Sequence, residues 1–188
     1  MKIGILALQG DYFKHSEVLK SINIDYSYVK NAKDLDGCSG LIIPGGESTA
    51  ISKLLIEYDL LRSLKKFAEK KHVFGTCAGS IIMSNNSFDN RIVNLNCIDV
   101  EIKRNSWGAQ IDSFIDKVEI DLFNKKCFFQ GVFIRAPRIL KTNNCVVLGT
   151  YNDESVLVRN KRHLISTFHP ELTGDDLIHR YFVSMINE

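Results

Sequence analysis

The spacing of apolar and polar residues along the chain predicts an α/β fold. Ile3 to Leu8 form a continuous apolar run that ends at Gln9, as expected for a strand buried on both faces of a parallel sheet. Apolar and aromatic positions then recur every three or four residues from Tyr12 to Ile22, which predicts one face of a helix. The β-prone segment IDYSYVK follows, so we expect a β-α-β unit at the start of the chain.

The next segments repeat this alternation and then change character. GLIIPGGES runs from a short apolar strand into two glycines, and Ser48 can cap the helix that follows. A second helical stretch leads to the strand HVFG and to Cys77. After about residue 90, short β-prone segments dominate until a final helix, which we expect to begin near Thr173. The sheet is therefore expected to become mixed in its second half.

Composition and charge narrow the class of protein. The chain has 188 residues, 45% of them apolar, and no linker-like stretch, so we expect a single domain over residues 1–188. The net charge of +2 is small and the charges alternate in sign, which argues against a nucleic-acid partner. The first apolar run is too short for a signal sequence or a membrane span, and this favours a cytoplasmic protein.

The five cysteines do not suggest a structural role. They are odd in number and widely spaced, without a C-x-x-C pair, so neither a disulfide framework nor a cysteine-rich zinc site is expected. The chain also lacks the glycine patterns of nucleotide-binding loops. We predict no metal and no cofactor.

The segment VFGTCAGS places Cys77 at a turn from a strand into a helix. The residue at such a corner is strained, and small neighbours such as Gly75 and Gly79 keep it clear of the sheet. A helix N-terminus favours thiolate over thiol, so Cys77 is expected to be nucleophilic near neutral pH. The N–H of Ala78 can supply half of an oxyanion hole. The alternative is a small buried hydrophobe, but the two flanking glycines favour the nucleophile.

The segment TFHPEL can supply the base that a nucleophile needs. Pro170 biases His169 to an extended backbone, so Glu171 projects on the same side and can orient the imidazole. Cys77 and His169 lie 92 residues apart, and only the fold can bring them together. The remaining histidines are interpreted as ordinary residues with no direct role in the chemistry. His15 lies on the inner stripe of a helix, and charged residues flank the other three, namely His72, His163 and His179.

The glycine pair in PGGES allows two interpretations. It can form a tight turn before a helix capped by Ser48, which is common in α/β proteins. Alternatively, Gly46 presents its backbone N–H to the same oxyanion, since glycine permits a close approach.

Together these motifs resemble the triad-type glutamine amidotransferases. LQGDYFKH, PGGEST, FGTCAG, RNSWG, GVFIRAP and TFHPEL are similar in order and spacing to the glutaminase subunit of pyridoxal 5'-phosphate synthase. The resemblance implies a three-layer α/β/α sandwich around a mixed, largely parallel sheet of the flavodoxin-like type. It implies hydrolysis of L-glutamine to L-glutamate and ammonia, with the ammonia passing to a separate (β/α)8 synthase subunit.

The resemblance also assigns roles residue by residue. It implies Cys77 as nucleophile, His169 as base and then acid, and Glu171 as the residue that orients the imidazole. Glutamine is then held by a set drawn from three motifs, namely Gly46, Glu47, Ser48, Arg104, Ile134 and Arg135. Gln9 and its loop lie toward the synthase subunit, and docking completes the oxyanion hole, so the lone subunit is expected to be weakly active.

Three residues depart from the family pattern, and two other functions remain open. Lys14, Trp107 and Ala109 stand where Glu, Phe and Arg are usual, which bears on docking more than on the reaction. One alternative is the glutaminase of another synthase, such as imidazole glycerol phosphate synthase. The other is a non-catalytic redox-sensing module of similar fold, in which the elbow cysteine is oxidised.

Overall fold

The computed structural model describes residues 1–104 and 113–188. The strands of the described residues are β1 (Lys2–Leu6), β2 (Asp25–Val29), β3 (Gly40–Ile43), β4 (His72–Thr76), β5 (Val100–Lys103), β6 (Ser113–Leu122), β7 (Lys125–Ile134), β8 (Arg138–Thr142), β9 (Val146–Tyr151), β10 (Glu154–Arg159) and β11 (His163–Ser166). The α-helices are α1 (Tyr12–Ser21), α2 (Ser48–Glu57), α3 (Leu61–Ala68), α4 (Ala78–Met83) and α5 (Leu177–Asn187). Short 3-10 turns cover Ala32–Leu35 and Pro170–Leu172.

One nine-stranded mixed sheet forms the middle layer, in the order β2-β1-β3-β4-β11-β10-β9-β6-β7. The strands from β2 to β11 pair in parallel. From β11 outward, every pairing is antiparallel. Strands β5 and β8 form a separate two-stranded antiparallel sheet. The predicted mixed sheet is confirmed, and its antiparallel half is as extensive as its parallel half.

Helices cover both faces of the sheet. Successive residues of a strand point to opposite faces, so Ile42 packs with α1 and α5, whereas Leu41 and Ile43 pack with α2, α3 and α4. This alternation explains why the inner strand β3 is apolar and buried along its whole length and why Ile3, Ile5 and Leu6 of β1 are at most 1% exposed. The structure thus has the predicted three-layer arrangement. Among the described residues, no helix combines the length and apolar character needed to cross a membrane.

The last helix starts later than the sequence pattern predicted. The expected start near Thr173 is wrong, because α5 begins at Leu177, after the 3-10 turn Pro170–Leu172. The carboxylate of Asp175 accepts the N–H of Leu177 at 2.9 Å, which satisfies a backbone donor at the start of the helix. The acidic residues therefore precede this helix instead of forming its first turn.

Candidate active site

The carboxyl ends of four adjacent parallel strands converge at the candidate site. Strands β1, β3, β4 and β11 are neighbours in the sheet. Gln9 follows β1, the Gly45–Gly46 turn follows β3, Cys77 follows β4, and His169 follows β11. Open α/β sheets bind ligands at this edge, because the loops after the strands meet there. The strand order therefore unites residues that lie far apart in sequence.

Cys77 occupies a strained corner between β4 and α4. Its φ of 45° and ψ of −106° lie in a region that residues other than glycine seldom adopt. Its N–H donates to the Ser166 carbonyl at 2.8 Å, so β11 anchors the corner. The residue is 6% exposed, and Sγ lies 3.8 Å from the Ile134 carbonyl oxygen. The sulfur is thereby held at the floor of a pocket.

Steric contacts explain the glycines on either side of the cysteine. A Cβ atom at Gly79 would lie 2.0 Å from the Ile43 carbonyl oxygen. A Cβ atom at Gly75 would lie 2.6 Å from Met83 Sδ and 2.7 Å from the Gly79 carbonyl oxygen. Both positions exclude a side chain unless backbone moves, so the packing of α4 against the sheet requires glycine at each.

His169 and Glu171 form a buried pair beside the cysteine. Nδ1 of His169 lies 2.7 Å from Oε1 of Glu171, and both residues are 3% exposed. The N–H of His169 donates to the Val132 carbonyl at 2.8 Å, which ties the segment to β7. A carboxylate at Nδ1 favours the tautomer that leaves Nε2 for the nucleophile.

The surroundings of His169 favour its charged form. Burial opposes protonation, but hydrogen bonds to Cys77 and Glu171 and the charges of both partners outweigh it and raise the pKa of His169 to about 10. The imidazole is thus bonded to the carboxylate and lies beside the cysteine, since a Cβ atom at Gly45 would be 2.3 Å from Cε1 of His169 and 3.2 Å from Cβ of Cys77. This is the arrangement that a cysteine nucleophile requires.

The turn after β3 is tied to its neighbours on several sides. The N–H of Gly45 donates to Thr76 Oγ1 at 3.0 Å, and its carbonyl accepts the N–H of Asp11 at 3.1 Å. A Cβ atom at Gly45 would lie 2.3 Å from Cε1 of His169. A Cβ atom at Gly46 would lie 2.4 Å from Oε1 of Gln9. The two glycines therefore let the turn approach the imidazole and the loop after β1.

Glu47, not Ser48, caps helix α2, so the predicted cap is wrong. The Glu47 carboxylate accepts the N–H groups of Thr49 and Ala50, at 3.4 and 2.7 Å, and the Thr49 hydroxyl. It also pairs with Arg104 at 2.7 Å. Burial alone would raise the pKa of Glu47, but these hydrogen bonds and the Arg104 charge lower it below the usual value. Ser48 Oγ is buried and has no hydrogen-bond partner among the described residues.

Most of the site residues predicted from the sequence line one pocket of about 240 Å³. Its lining includes Gln9, Gly46, Glu47, Ser48, Cys77, Ala78, Arg104, Ile134, Arg135 and His169. Glu171 is not part of this lining and contacts the pocket through its bond to His169. Arg104 also contacts Asp89 at 3.2 Å, and Arg135 has a positive φ of 41°.

The three departures from the family pattern lie away from this lining or beyond the described residues. Lys14 is exposed and pairs with Glu17 at 2.9 Å, outside the pocket. Trp107 and Ala109 fall within residues 105–112, outside the described ranges.

Several residues that contact the site were not predicted from the sequence. Gly45 lies against His169, Thr76 holds the glycine turn, and Asp11 lines the pocket. The motif PGGES contains both Gly45 and Gly46, but only Gly46 was predicted to act at the site. Nothing in the local pattern distinguished Thr76 from the other residues of a buried strand.

One group of possible metal-ligand atoms occurs among the described residues. Atoms of Asp11, His169 and Glu171 lie within 4.8 Å of one another. His169 and Glu171 are already joined by the 2.7 Å hydrogen bond between Nδ1 and Oε1, which a cation bound between those two atoms would break. We therefore interpret the group as the His-Glu pair with a carboxylate nearby.

Comparison with known proteins agrees with the geometry. The model of the SNO glutamine amidotransferase family matches residues 5–188. The pyridoxal 5'-phosphate synthase subunit PdxT of Oenococcus oeni is 44% identical over 189 residues, covering 100% of this chain and 98% of the relative. PdxT of Francisella tularensis subsp. novicida is also 44% identical, over 98% of both chains.

Solved structures agree at the level of the fold. A crystal structure described as a glutamine amidotransferase superimposes with a TM-score of 0.93 at 38% identity, over 99% of each chain. PurLQS from Thermotoga maritima has a TM-score of 0.73 at 14% identity over 97% of each chain, a likeness of fold alone. From the family model and the full-length relatives, the chain belongs to the SNO glutamine amidotransferase family.

Proposed function

We propose that this chain is the glutaminase subunit of a pyridoxal 5'-phosphate synthase. As a single domain over residues 1–188, acting in the cytoplasm, it hydrolyses L-glutamine to L-glutamate and ammonia and passes the ammonia to a synthase subunit. The observation that carries the proposal is the His169 imidazole, which lies 2.7 Å from Glu171 and lines the same pocket as Cys77. The full-length identity to PdxT relatives supports the choice of synthase.

The first half of the reaction forms a covalent intermediate. The Cys77 thiolate attacks the side-chain amide carbon of glutamine, and the carbonyl oxygen becomes negative. The N–H groups of Gly46 and Ala78 stabilise that oxyanion. His169 then donates its proton to the amide nitrogen, the C–N bond breaks, and ammonia leaves behind a γ-glutamyl thioester on Cys77.

The second half regenerates the enzyme. Neutral His169 removes a proton from a water molecule, which attacks the thioester carbon. The same oxyanion donors stabilise the second tetrahedral intermediate, and the C–S bond then breaks to release glutamate. Glu171 keeps the imidazole in one tautomer and stabilises its charged form in both halves.

The pocket suits the charges of free glutamine. A guanidinium binds a carboxylate well, and both Arg104 and Arg135 line the pocket. A guanidinium has five N–H donors, so the pairing of Arg104 with Glu47 and Asp89 is compatible with a contact to the substrate carboxylate. The Glu47 carboxylate is in turn suited to the substrate amino group. Gly46, Ser48 and Ile134 complete the binding set.

The loop after β1 is the proposed contact with the synthase subunit. Gln9 Oε1 accepts the N–H of Glu47 at 2.8 Å, so a partner that touches Gln9 acts directly on the turn that carries Gly46. Docking at this loop then sets the oxyanion donor. We therefore expect the lone subunit to hydrolyse glutamine slowly.

The test is glutamate production by the chain with and without the purified synthase subunit. We expect a large rise on mixing, and we expect Cys77→Ala to abolish it while Cys127→Ala, on strand β7, does not. A Cys77→Ala complex that makes glutamate at the wild-type rate would refute the mechanism. Stimulation by imidazole glycerol phosphate synthase instead would reassign the partner.

A second measurement separates the enzyme from a redox sensor. A glutamine-like alkylating analogue should label Cys77, because the pocket recognises the amino acid. Failure of that analogue, together with ready oxidation of Cys77 by peroxide, would favour the sensor.

A further inference from the structure

A buried polar network lies behind the catalytic pair. His15 on α1 and His179 on α5 are both 0% exposed, and their Nδ1 and Nε2 atoms respectively lie 2.9 Å apart. Neither residue lines the pocket. Buried polar side chains of this kind are costly unless their hydrogen bonds are made, so the contacts of each ring nitrogen need an explanation.

The other nitrogen of His15 points toward the site. Nε2 lies 3.2 Å from Thr76 Oγ1 and 3.5 Å from Oε2 of Glu171. Oε1 of Glu171 is bound to His169, whereas Oε2 is buried and has no conventional hydrogen-bond partner among the described residues. His15 Nε2 is thus positioned as the donor to which this second carboxylate oxygen can turn.

The groups that contact the two ring nitrogens of His15 determine which nitrogen carries the proton. Burial, reinforced by the nearby His179 and His169, lowers the pKa of His15 well below its usual value, so the ring is neutral and has one N–H. A proton on Nδ1 would leave the Nε2 lone pair facing a carboxylate. A proton on Nε2 faces Oε2 and Thr76 instead, while Nδ1 accepts the Nε2–H of His179.

Thr76 extends the network to the glycine turn. Its Oγ1 accepts the N–H of Gly45 at 3.0 Å, and Gly45 precedes the proposed oxyanion donor Gly46. Thr76 is also the last residue of β4, directly before Cys77. His15 therefore contacts both Glu171, which orients the base, and the hydroxyl that holds the oxyanion turn.

We infer that His15 is a positioning residue for amide hydrolysis, whose Nε2–H holds the second oxygen of Glu171 and the hydroxyl of Thr76 in place. The inference rests on the proposed function, because it concerns the same triad. His15 touches no substrate and moves no proton in the reaction. It acts by limiting rotation of the Glu171 carboxylate, and so by keeping the His169 imidazole directed at Cys77.

Two substitutions separate this role from simple packing. The amide nitrogen of His15→Gln can reach the position of Nε2, whereas that of His15→Asn reaches only the position of Nδ1. With the synthase subunit present, we expect His15→Asn to lower kcat about tenfold or more, as befits loss of a hydrogen bond to a charged group, with KM for glutamine within twofold. His15→Gln should retain most of the activity.

A matched control is His163→Asn. His163 is also a buried histidine, 5% exposed, but it lies at the start of β11, at the opposite end of the strand from the site. We expect the His163→Asn variant to lose about as much stability as His15→Asn, without a fall in kcat. Equal kcat values for His15→Asn and wild type, or equal losses in the Gln and Asn variants at matched stability, would overturn the inference.

Coupling to Glu171 gives a second test. Because His15 acts largely through that carboxylate, Glu171→Gln combined with His15→Asn should be little slower than Glu171→Gln alone. The rate of Cys77 alkylation by iodoacetamide serves as the readout in these slow variants and needs no synthase subunit. Fully additive losses would overturn the inference. If the wild-type complex hydrolysed no glutamine while alkylation still depended on His15, the proposed function would fail, and His15 would still be shown to position Glu171 and His169 for a Cys77 nucleophile.

Discussion

Replacing Gly45 by alanine tests whether the turn must touch the catalytic imidazole. The added methyl carbon would lie 2.3 Å from Cε1 and 2.9 Å from Nδ1 of His169, and 3.2 Å from Cβ of Cys77. The φ angle of Gly45 is outside the left-handed region, so alanine meets no backbone strain there. The effect of Gly45→Ala is therefore a steric displacement of the ring.

The size of that displacement follows from the contact distances. Ordinary van der Waals contact begins at 3.4 Å, so a ring atom at 2.3 Å has to retreat by about 1 Å. His169 is buried and held by a 2.7 Å bond to Glu171, so it cannot move this far and keep both partners. A misplacement of about 1 Å costs on the order of 100-fold in rate, whereas overpacking costs about 1 to 3 kcal/mol of stability.

The assay is glutamine hydrolysis in the complex with the synthase subunit, with urea unfolding measured in parallel. Gly174→Ala is the matched control, since no atom lies within 4 Å of a Cβ placed there. We expect about 100-fold lower kcat for Gly45→Ala and no change for the control. A Gly45→Ala enzyme within threefold of wild-type kcat would refute the reasoning that the ring has no room to move.

Two further predictions concern the pocket and the buried histidines. Arg104→Gln removes the 2.7 Å pairing with Glu47 and a guanidinium from the pocket, so KM for glutamine should rise about tenfold or more with a smaller fall in kcat; an unchanged KM would contradict the assigned contact. Burial lowers the pKa values of His163 and His179 to about 4, so between about pH 6.5 and 4 these histidines are protonated in the unfolded chain but neutral in the folded one. Each of them therefore lowers the free energy of unfolding by roughly 1.4 kcal/mol per pH unit as the pH falls from about 6.5 toward 4. Urea unfolding across that range should show His163→Asn losing less stability on acidification than wild type, and parallel curves would contradict this.

Much of the candidate site could be predicted from local pattern. The glycines around Cys77 imply a tight strand-to-helix corner, and the structure places the residue there with a φ of 45°. The pairing of His169 with Glu171 was also predicted, although from an extended backbone that is wrong: Pro170–Leu172 form a 3-10 turn, which still brings Glu171 Oε1 to 2.7 Å from His169 Nδ1. The corner and the pairing could be predicted because each involves residues only a few positions apart in the chain.

Other expectations failed because local pattern does not report what surrounds a residue. Local pattern also gave no sign that His163 and His179 are buried, since charged residues flank both in sequence although they are 5% and 0% exposed. The cap of α2 was assigned to Ser48, but the Glu47 carboxylate reaches the same backbone groups and pairs with Arg104 from a distant strand end. The spacing of residues along the chain predicts neither the burial of these histidines nor the cap of α2, because both depend on residues that come close only in the folded chain.

The amino-acid sequence by itself determined the order of strands and helices, the small residues around the nucleophile and the identity of the reacting groups. Tertiary structure alone decided that the ends of β1, β3, β4 and β11 share one edge and that the sheet turns antiparallel beyond β11. It also decided that His15 meets Glu171 across 156 residues of chain. The physical reason is range: backbone preferences act between near neighbours, whereas burial and hydrogen bonding act between whatever groups the packed layers bring into contact.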